Sequence, residues 1–286
     1  MTSGKIILLI SIILILFIFL LCFGETGFFS SDIIFWQLRL PKVFVAFFAG
    51  GILAVTGLLM QIFFQNPLAG PDILGVSAGS SLFMAFWIMA AGSFPEYVDQ
   101  IGANIFSLLG AFSVFGILLF FLHKNFSRLS LLIVGLLISS FSSSCISFLI
   151  NMSTNLQTKN YLLWTLGSFR NATIEEIPYF FLIVFVLIIS LFFLPKTLNQ
   201  FQLGENYSQT MGVNISKTKK ILITFCAVAI SAVTYFCGPI CFIGVIAPHL
   251  ARFFLKQSNM KIILPVTFFF GNLLALSAET ILVLRR

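Results

Sequence analysis

Charged side chains are scarce in this chain. Asp, Glu, Lys and Arg make up 9% of the 286 residues, against 59% hydrophobic residues. A soluble domain typically carries about 25% charged residues, so this composition excludes one. Apolar runs of roughly 20 residues, the length that crosses a hydrocarbon layer, recur along the whole chain. The sequence therefore predicts one all-α, polytopic membrane domain over residues 1–286.

The sequence also lacks the motifs of several enzyme and transporter classes. It contains neither Gly-x-x-x-x-Gly-Lys-Ser/Thr nor His-Glu-x-x-His, and its apolar runs hold no series of carboxylates suited to ion coupling. If the chain takes part in active transport, we expect the energy to enter through another chain. Two alternatives stay open: an ion-coupled secondary transporter, which needs a membrane-embedded acid, and a membrane enzyme that uses His249.

The basic residues are distributed unevenly about the predicted spans. The net charge of +7 lies mostly in short connections, so it indicates topology rather than binding to nucleic acid. With the N-terminus in the cytoplasm, most Lys and Arg residues lie inside, as the positive-inside bias favours. Most carboxylates then lie outside: Glu25, Asp32, Glu96, Asp99, Glu175 and Glu176. The nine predicted spans are near residues 5–23, 40–64, 72–91, 103–122, 129–151, 177–195, 219–237, 240–255 and 260–284.

The five cysteines lie in apolar runs without His or acidic residues at metal-ligand spacing. We predict that they are small buried hydrophobes, and we expect no metal site in the chain. The cysteines are Cys22, Cys145, Cys226, Cys237 and Cys241.

A basic motif stands at the predicted outer end of the second span. Arg39 and Lys42 are three residues apart, so a helical turn places them on one face, and Pro41 suits a helix start. The side chains either reach the lipid headgroups or form a docking point for acidic residues of a soluble protein. Further along the span, Gly50 and Gly57 allow close packing of helices.

Two prolines are predicted to break the chain between the second and third spans. Pro67 and Pro71 remove amide donors and disfavour a helical conformation in the residues before them, which indicates a tight turn. We expect His249 to make a structural hydrogen bond or a partner contact rather than to relay protons. The predicted structural residues are Asn66, Pro67, Pro71, Gly75, Pro248 and His249.

The connection between the sixth and seventh predicted spans contains a segment with two glycines, which is typical of two short helices. Its apolar residues favour a docking surface over a solvated linker. The segment is marked by Leu203, Gly204, Glu205, Met211, Gly212 and Val213. In the fifth span, Ser139 and Ser143 belong to a serine-rich stripe that either packs against another helix or lines a pathway for a polar solute.

Four blocks occur in an order that resembles the FecCD-type permeases, the membrane subunits of ABC importers for iron-siderophore, haem and cobalamin. Together they cover most of residues 36–280. They are Arg39-Leu40-Pro41-Lys42, Asn66 through Gly75, Leu203 through Val213, and Gly238 through Arg252.

The resemblance implies a transport subunit of the bacterial inner membrane, not an enzyme. Its expected cargo is an iron-siderophore chelate, with cobalamin or haem as the alternative. The expected partners are a second permease subunit, identical or not, two cytoplasmic ATPase subunits, and a periplasmic or lipoprotein binding protein. Membrane lipid is the remaining expected partner, and no binding to nucleic acid is expected. ATP and Mg²⁺ would bind the ATPase, so this chain is expected to bind no cofactor.

The resemblance also implies roles for individual residues. Arg39 and Lys42 would dock carboxylates of the binding protein, with Lys in place of the family's second Arg. The segment from Leu203 to Val213 would couple to the ATPase, and Ser127 and Arg128 correspond loosely to a gate. Family members have ten spans, so this sequence is expected to be short of a tenth helix after its terminal arginines.

Overall fold

The computed structural model describes residues 2–24, 27–28, 35–90, 96–124, 126–169 and 177–285. The predicted outer carboxylates Glu25, Asp32, Glu175 and Glu176 lie outside these ranges. Apart from an antiparallel pairing of Phe23–Gly24 with Gly27–Phe28, the regular structure of the described part is helical. The prediction of an all-α membrane protein is therefore confirmed.

Twelve α-helices follow one another in the described ranges, nine of them apolar and in the positions of the predicted spans. Six are long and apolar enough to cross a membrane, and α3, α7 and α11 contain shorter apolar stretches. The helices are α1 (Thr2–Cys22), α2 (Leu40–Phe64), α3 (Val76–Ala90), α4 (Glu96–His123), α5 (Arg128–Met152), α6 (Asn155–Thr165), α7 (Ile177–Phe193), α8 (Pro195–Phe201), α9 (Glu205–Thr210), α10 (Ile215–Cys237), α11 (Ile243–Leu255) and α12 (Met260–Leu284).

Side chains that cap free amides fix several helix starts. Ser127 accepts a hydrogen bond from the backbone of α5, and Asn259 accepts one from the backbone of α12. At α6, Thr154 and Gln157 form a reciprocal capping box. Each cap satisfies an amide that has no carbonyl partner within its own helix. These polar residues therefore set where the apolar helices begin.

Backbone contacts group the chain into two compact units. The first comprises residues 1–70, 169–218 and 242–286, and the second comprises residues 71–168 and 219–241. The expectation of a single permease domain over residues 1–286 stays a prediction.

In the first unit, α2 is the buried central helix and packs along α12 and α11. Its glycines account for the close approach. A Cβ atom on Gly50 would collide with the backbone of Gly271 in α12, and one on Gly57 would collide with the backbone of Gly244 in α11. The predicted close packing of small residues is therefore confirmed, and α2 holds the neighbouring helices at backbone contact.

In the second unit, α3 packs along α4, α5 and α6. The approach of α3 to α4 is again set by glycines, since a Cβ atom on Gly79 would overlap the backbone of Gly110. The ends of α6 and α10 are joined by a hydrogen bond from the Ser168 amide to the Cys237 carbonyl, at 2.7 Å. Part of the predicted outer connection thus folds onto the end of a membrane helix.

Candidate functional site

The two cations of the predicted docking motif are both engaged within the first unit. Arg39 is buried, and its Nη1 donates to the carbonyls of Leu21 at 3.4 Å and Cys22 at 3.0 Å. These carbonyls end α1 and lack partners within that helix. Lys42 is paired with Glu279 of α12, with 2.5 Å between Nζ and Oε2. Docking at these residues stays a prediction, and the structure adds that both hold helices together.

Sequence reasoning missed Glu279 as the partner of Lys42. It is the one carboxylate within Met260–Leu284, and it is buried. An acid this deep in an apolar helix needs a compensating charge nearby. That requirement is visible in the sequence, although the identity of the cation is not.

The turn that follows α2 lies against the sequence block from Gly238 to Arg252. Gln65 adopts a left-handed conformation with φ of 50° and ends α2. Asn66 then stabilises the turn by accepting the Leu68 amide at 2.9 Å. His249 Nε2 lies 2.9 Å from the Pro67 carbonyl oxygen. Two sequence blocks that are far apart in the chain are therefore in direct contact.

A second polar contact joins the last turns of α2, just before Asn66, to the block that contains Pro248. Arg252 Nη1 donates to Gln61 Oε1 at 2.7 Å, and Gln61 Nε2 donates to the Val245 carbonyl at 3.4 Å. Pro248 cannot donate to the carbonyl of Gly244, which leaves that oxygen free to face α2. The residues near the inner ends of α2 and α11 thus form a satisfied polar network inside an apolar unit.

In the second unit, the turn before α3 sits on α5. Pro71 is buried and begins a 3₁₀ turn that ends at Leu74. Gly75 follows with φ of 72°, facing the Gly135 carbonyl and the Ser139 hydroxyl. Ser139 in turn donates to Gly135 at 3.0 Å. Ser143 is exposed on the same helix, and the pathway role of both serines stays a prediction.

Asp72 and Cys241 bring together the turn before α3 and the break between α10 and α11. Burial raises the pKa of the Asp72 carboxyl, and a hydrogen bond from the Cys241 thiol offsets part of that rise. Cys226 and Cys237 are buried as predicted, but Cys241 is exposed. The prediction of a buried, apolar setting was wrong for Cys241 because it lies in a break between helices, beside a carboxyl group.

The segment from Leu203 to Val213 contains α9 between two glycines. Gly204 and Gly212 have φ of 104° and 82°, a conformation that disfavours other residues, and they end the turns on either side of α9. Ser208 of α9 is buried. Its hydroxyl lies within hydrogen-bonding distance of two carbonyl oxygens as donor, that of Gln200 at 2.7 Å and that of Gly204 at 2.6 Å. The segment is therefore an ordered turn rather than a flexible linker.

Apolar side chains cover the free face of this segment. Leu203 is 57% exposed, Tyr207 60% and Met211 47%. Glu205 lies between Leu203 and Tyr207 in the sequence, and Val213 follows Met211. Large apolar side chains grouped on a short polar segment mark a surface that another protein covers. This arrangement fits the docking interpretation of the segment.

The helix α8, which leads directly into the segment, is attached to the beginning of α12. Asn199 of α8 accepts a hydrogen bond from the Met260 amide at 2.9 Å, and Gln202 donates to the Ser258 carbonyl at 3.3 Å. Elsewhere, Ser127 caps α5 and Arg128 is half-buried at its first turn. A gate at Ser127 and Arg128 stays a prediction.

Comparison with known proteins agrees with this architecture. Residues 6–284 match the FecCD transport family. The vitamin B12 import system permease protein BtuC of Photorhabdus laumondii is 31% identical over 87% of this chain and 72% of its own length. The hemin transport system permease protein HmuU of Yersinia pestis is 31% identical over 87% of this chain and 74% of its own length.

A solved structure assigned to the metal-chelate type of ABC transporter, in an inward-facing conformation, superposes with a TM-score of 0.86. It is 25% identical and covers 98% of this chain and 90% of its own. The resemblance inferred from the four sequence blocks is confirmed. The chain belongs to the FecCD transport family, as a membrane transport subunit rather than an enzyme.

Proposed function

We propose that the chain is the permease subunit of an ABC importer in the bacterial inner membrane, and that it moves a large metal chelate towards the cytoplasm. One observation carries this proposal: an ordered segment with exposed apolar side chains at Leu203, Tyr207 and Met211 follows α8, which is hydrogen-bonded to a membrane-spanning helix. Such a segment suits a partner that delivers mechanical work to the membrane helices.

The partner at this segment would be one of two ATPase subunits, because the chain has no phosphate-binding loop of its own. ATP and Mg²⁺ would bind there. Closure of the ATPases would displace α8 and α9, and the hydrogen bonds to Met260 and Ser258 would transmit that displacement to α12. A second permease subunit, identical or related, would complete the pathway.

The binding protein would dock at the opposite face, where Arg39 and Lys42 lie. Its acidic residues would meet a surface whose two cations are already partly neutralised by the Leu21 and Cys22 carbonyls and by Glu279. We infer that this contact guides orientation more than it supplies affinity, since paired charges attract a further partner only weakly.

We propose an iron-siderophore chelate as the cargo, with cobalamin or haem as the alternative. The proteins BtuC and HmuU, named for vitamin B12 and hemin, support a large chelate in general. The pathway of the second unit offers the hydroxyls of Ser139 and Ser143 without fixed charge, which suits weak contacts with a passing polar cargo.

Reconstitution tests this proposal. The chain would be placed in proteoliposomes with a candidate ATPase and a candidate binding protein from the same organism. Uptake of radiolabelled ferric siderophore, haem and cobalamin would then be measured. We expect uptake of one chelate only when ATP and all subunits are present. An ATPase variant that binds but does not hydrolyse ATP is the control. Uptake driven by a proton gradient without any ATPase would contradict the proposal and favour an ion-coupled transporter that uses Glu279.

A further inference from the structure

A cavity of about 450 Å³ opens in the first unit between α7, α12 and the start of α8. Its walls are mostly carbon, contributed by Ile188 and Leu191 of α7 and by Leu264 and Phe268 of α12. The volume lies within the about 300–1,000 Å³ that is usual for ligand sites. A cavity with such walls fits a hydrocarbon chain.

Two lysines lie among the residues that line the same cavity. Lys196 is the second residue of α8 and Lys261 the second residue of α12, and both are exposed. Among the described residues that line the cavity, none is acidic. Both lysines lie on the side that the charge distribution predicts to be cytoplasmic. The described lining of the cavity thus combines carbon walls with two cations and no acidic side chain.

We propose that this cavity binds an anionic glycerophospholipid of the cytoplasmic leaflet, with one acyl chain against α7 and α12 and the phosphate at Lys196 and Lys261. Basic pockets between membrane helices on the cytoplasmic side bind anionic headgroups. A soluble phosphate would leave the carbon walls uncovered. A helix from a second copy would cover both lysines with apolar side chains and leave their charges unpaired, which is unfavourable.

The bound lipid would connect α7 and α8 to α12 beside the hydrogen bond from Met260 to Asn199. It would therefore strengthen the attachment of α8, which leads directly into the segment from Leu203 to Val213. The site itself depends only on the cavity and its lysines. It can be tested on the purified chain without cargo, ATPase or binding protein, so its failure and a failure of transport are distinguishable.

Native mass spectrometry of the delipidated chain, after addition of phosphatidylglycerol or phosphatidylcholine, measures the binding. We expect the chain to retain phosphatidylglycerol preferentially. The variant Lys196→Gln/Lys261→Gln should retain it about 30-fold less, as expected for two lost lysine contacts, while retention of phosphatidylcholine is unchanged. Lys217→Gln is the matched control, because Lys217 is exposed on the same predicted side and does not line the cavity. Equal retention by the double variant and the wild type would overturn the proposal.

Two further measurements distinguish the proposed lipid from a soluble phosphate and from a second copy of the chain in the cavity. Glycerol 3-phosphate, which has no acyl chain, should not displace phosphatidylglycerol, and displacement at similar concentrations would indicate a soluble-phosphate site instead. A photoreactive benzophenone side chain at position 191 should yield a lipid adduct, whereas an adduct between two copies of the chain would indicate a subunit interface. If the double variant does not fold, Lys196→Gln and Lys261→Gln alone should each lower retention.

Discussion

Lys42 neutralises Glu279 across the contact between α2 and α12. The pair lies in a largely buried position, where each ion would be unfavourable without the other. It connects the basic motif at the start of α2 with the end of the last described helix. The same lysine is therefore both a candidate docking residue and a structural residue.

The first prediction concerns the ion pair. Glu279→Gln should lower the free energy of unfolding by roughly 3–5 kcal/mol, because it leaves the charge of Lys42 buried and uncompensated. Thermal unfolding of the purified protein in detergent measures the effect. The variant Lys42→Met/Glu279→Met is the control and should recover most of the loss, because it removes both charges. Equal loss in the single and double variants would contradict the interpretation.

The second prediction separates structure from docking by exchanging the two charges. Lys42→Glu/Glu279→Lys keeps an ion pair between α2 and α12 but reverses the charge at position 42. We expect thermal stability close to that of the wild type and about tenfold slower association with the binding protein, because charge complementarity acts mainly on orientation and on the association rate. The rate at which the binding protein associates with immobilised permease measures the effect. An unchanged association rate for a stable charge-exchanged protein would remove Lys42 from the docking surface.

A third prediction addresses close packing in the first unit. Gly57→Ala should destabilise the protein by roughly 1–3 kcal/mol, since its Cβ atom would overlap the backbone of Gly244, which cannot move aside like a flexible side chain. Gly116→Ala in α4 is the matched control. A Cβ atom there meets nothing within 4 Å, so this change should stabilise the helix by roughly 0.5–1 kcal/mol. The unfolding temperatures of the two variants measure these stability changes. Similar unfolding temperatures for Gly57→Ala and Gly116→Ala would refute the role of Gly57.

The fourth prediction tests the exposed apolar segment. Leu203→Asp and Met211→Asp should leave the fold intact, because both side chains are exposed, but should reduce co-purification of the ATPase at least about tenfold. Gln209→Asp introduces the same charge on an exposed polar residue of α9 and should have a smaller effect. Affinity purification with a tagged ATPase gives the amount of each variant recovered relative to the wild type. Normal recovery of the ATPase with both variants would show that the coupling surface lies elsewhere.

Local sequence signals predicted the helices well and their contacts poorly. The bounds of α2 and α12 match the predicted spans at 40–64 and 260–284. Both are long apolar runs with a clear start signal, Pro41 in the first turn of α2 and the Asn259 cap of α12. The predicted start of α3 at residue 72 is four residues early, because Pro71–Leu74 forms a 3₁₀ turn. A run of apolar residues does not distinguish that turn from the helix that follows it.

Pairs of residues in contact were harder to predict than helices. Gln61 and Arg252 are 191 positions apart in the sequence, and nothing in the spacing of either one indicates which helices are neighbours. The resemblance to a family supplied roles for whole blocks. It did not reveal that His249 contacts Pro67, nor that Lys42 is paired, because such contacts depend on how the helices are arranged in space.

The attachment of α12 at both ends has a mechanical consequence. Asn199 holds its first residue, Met260, and Lys42 holds Glu279 near its last turn. About 30 Å of continuous helix separates these two points, at 1.5 Å per residue. Pro265 lies in the second turn of α12 and removes one backbone hydrogen bond there. A shift of α8 would therefore bend α12 at Pro265, tilt the whole helix and strain the ion pair near its other end, or break the hydrogen bond between Met260 and Asn199.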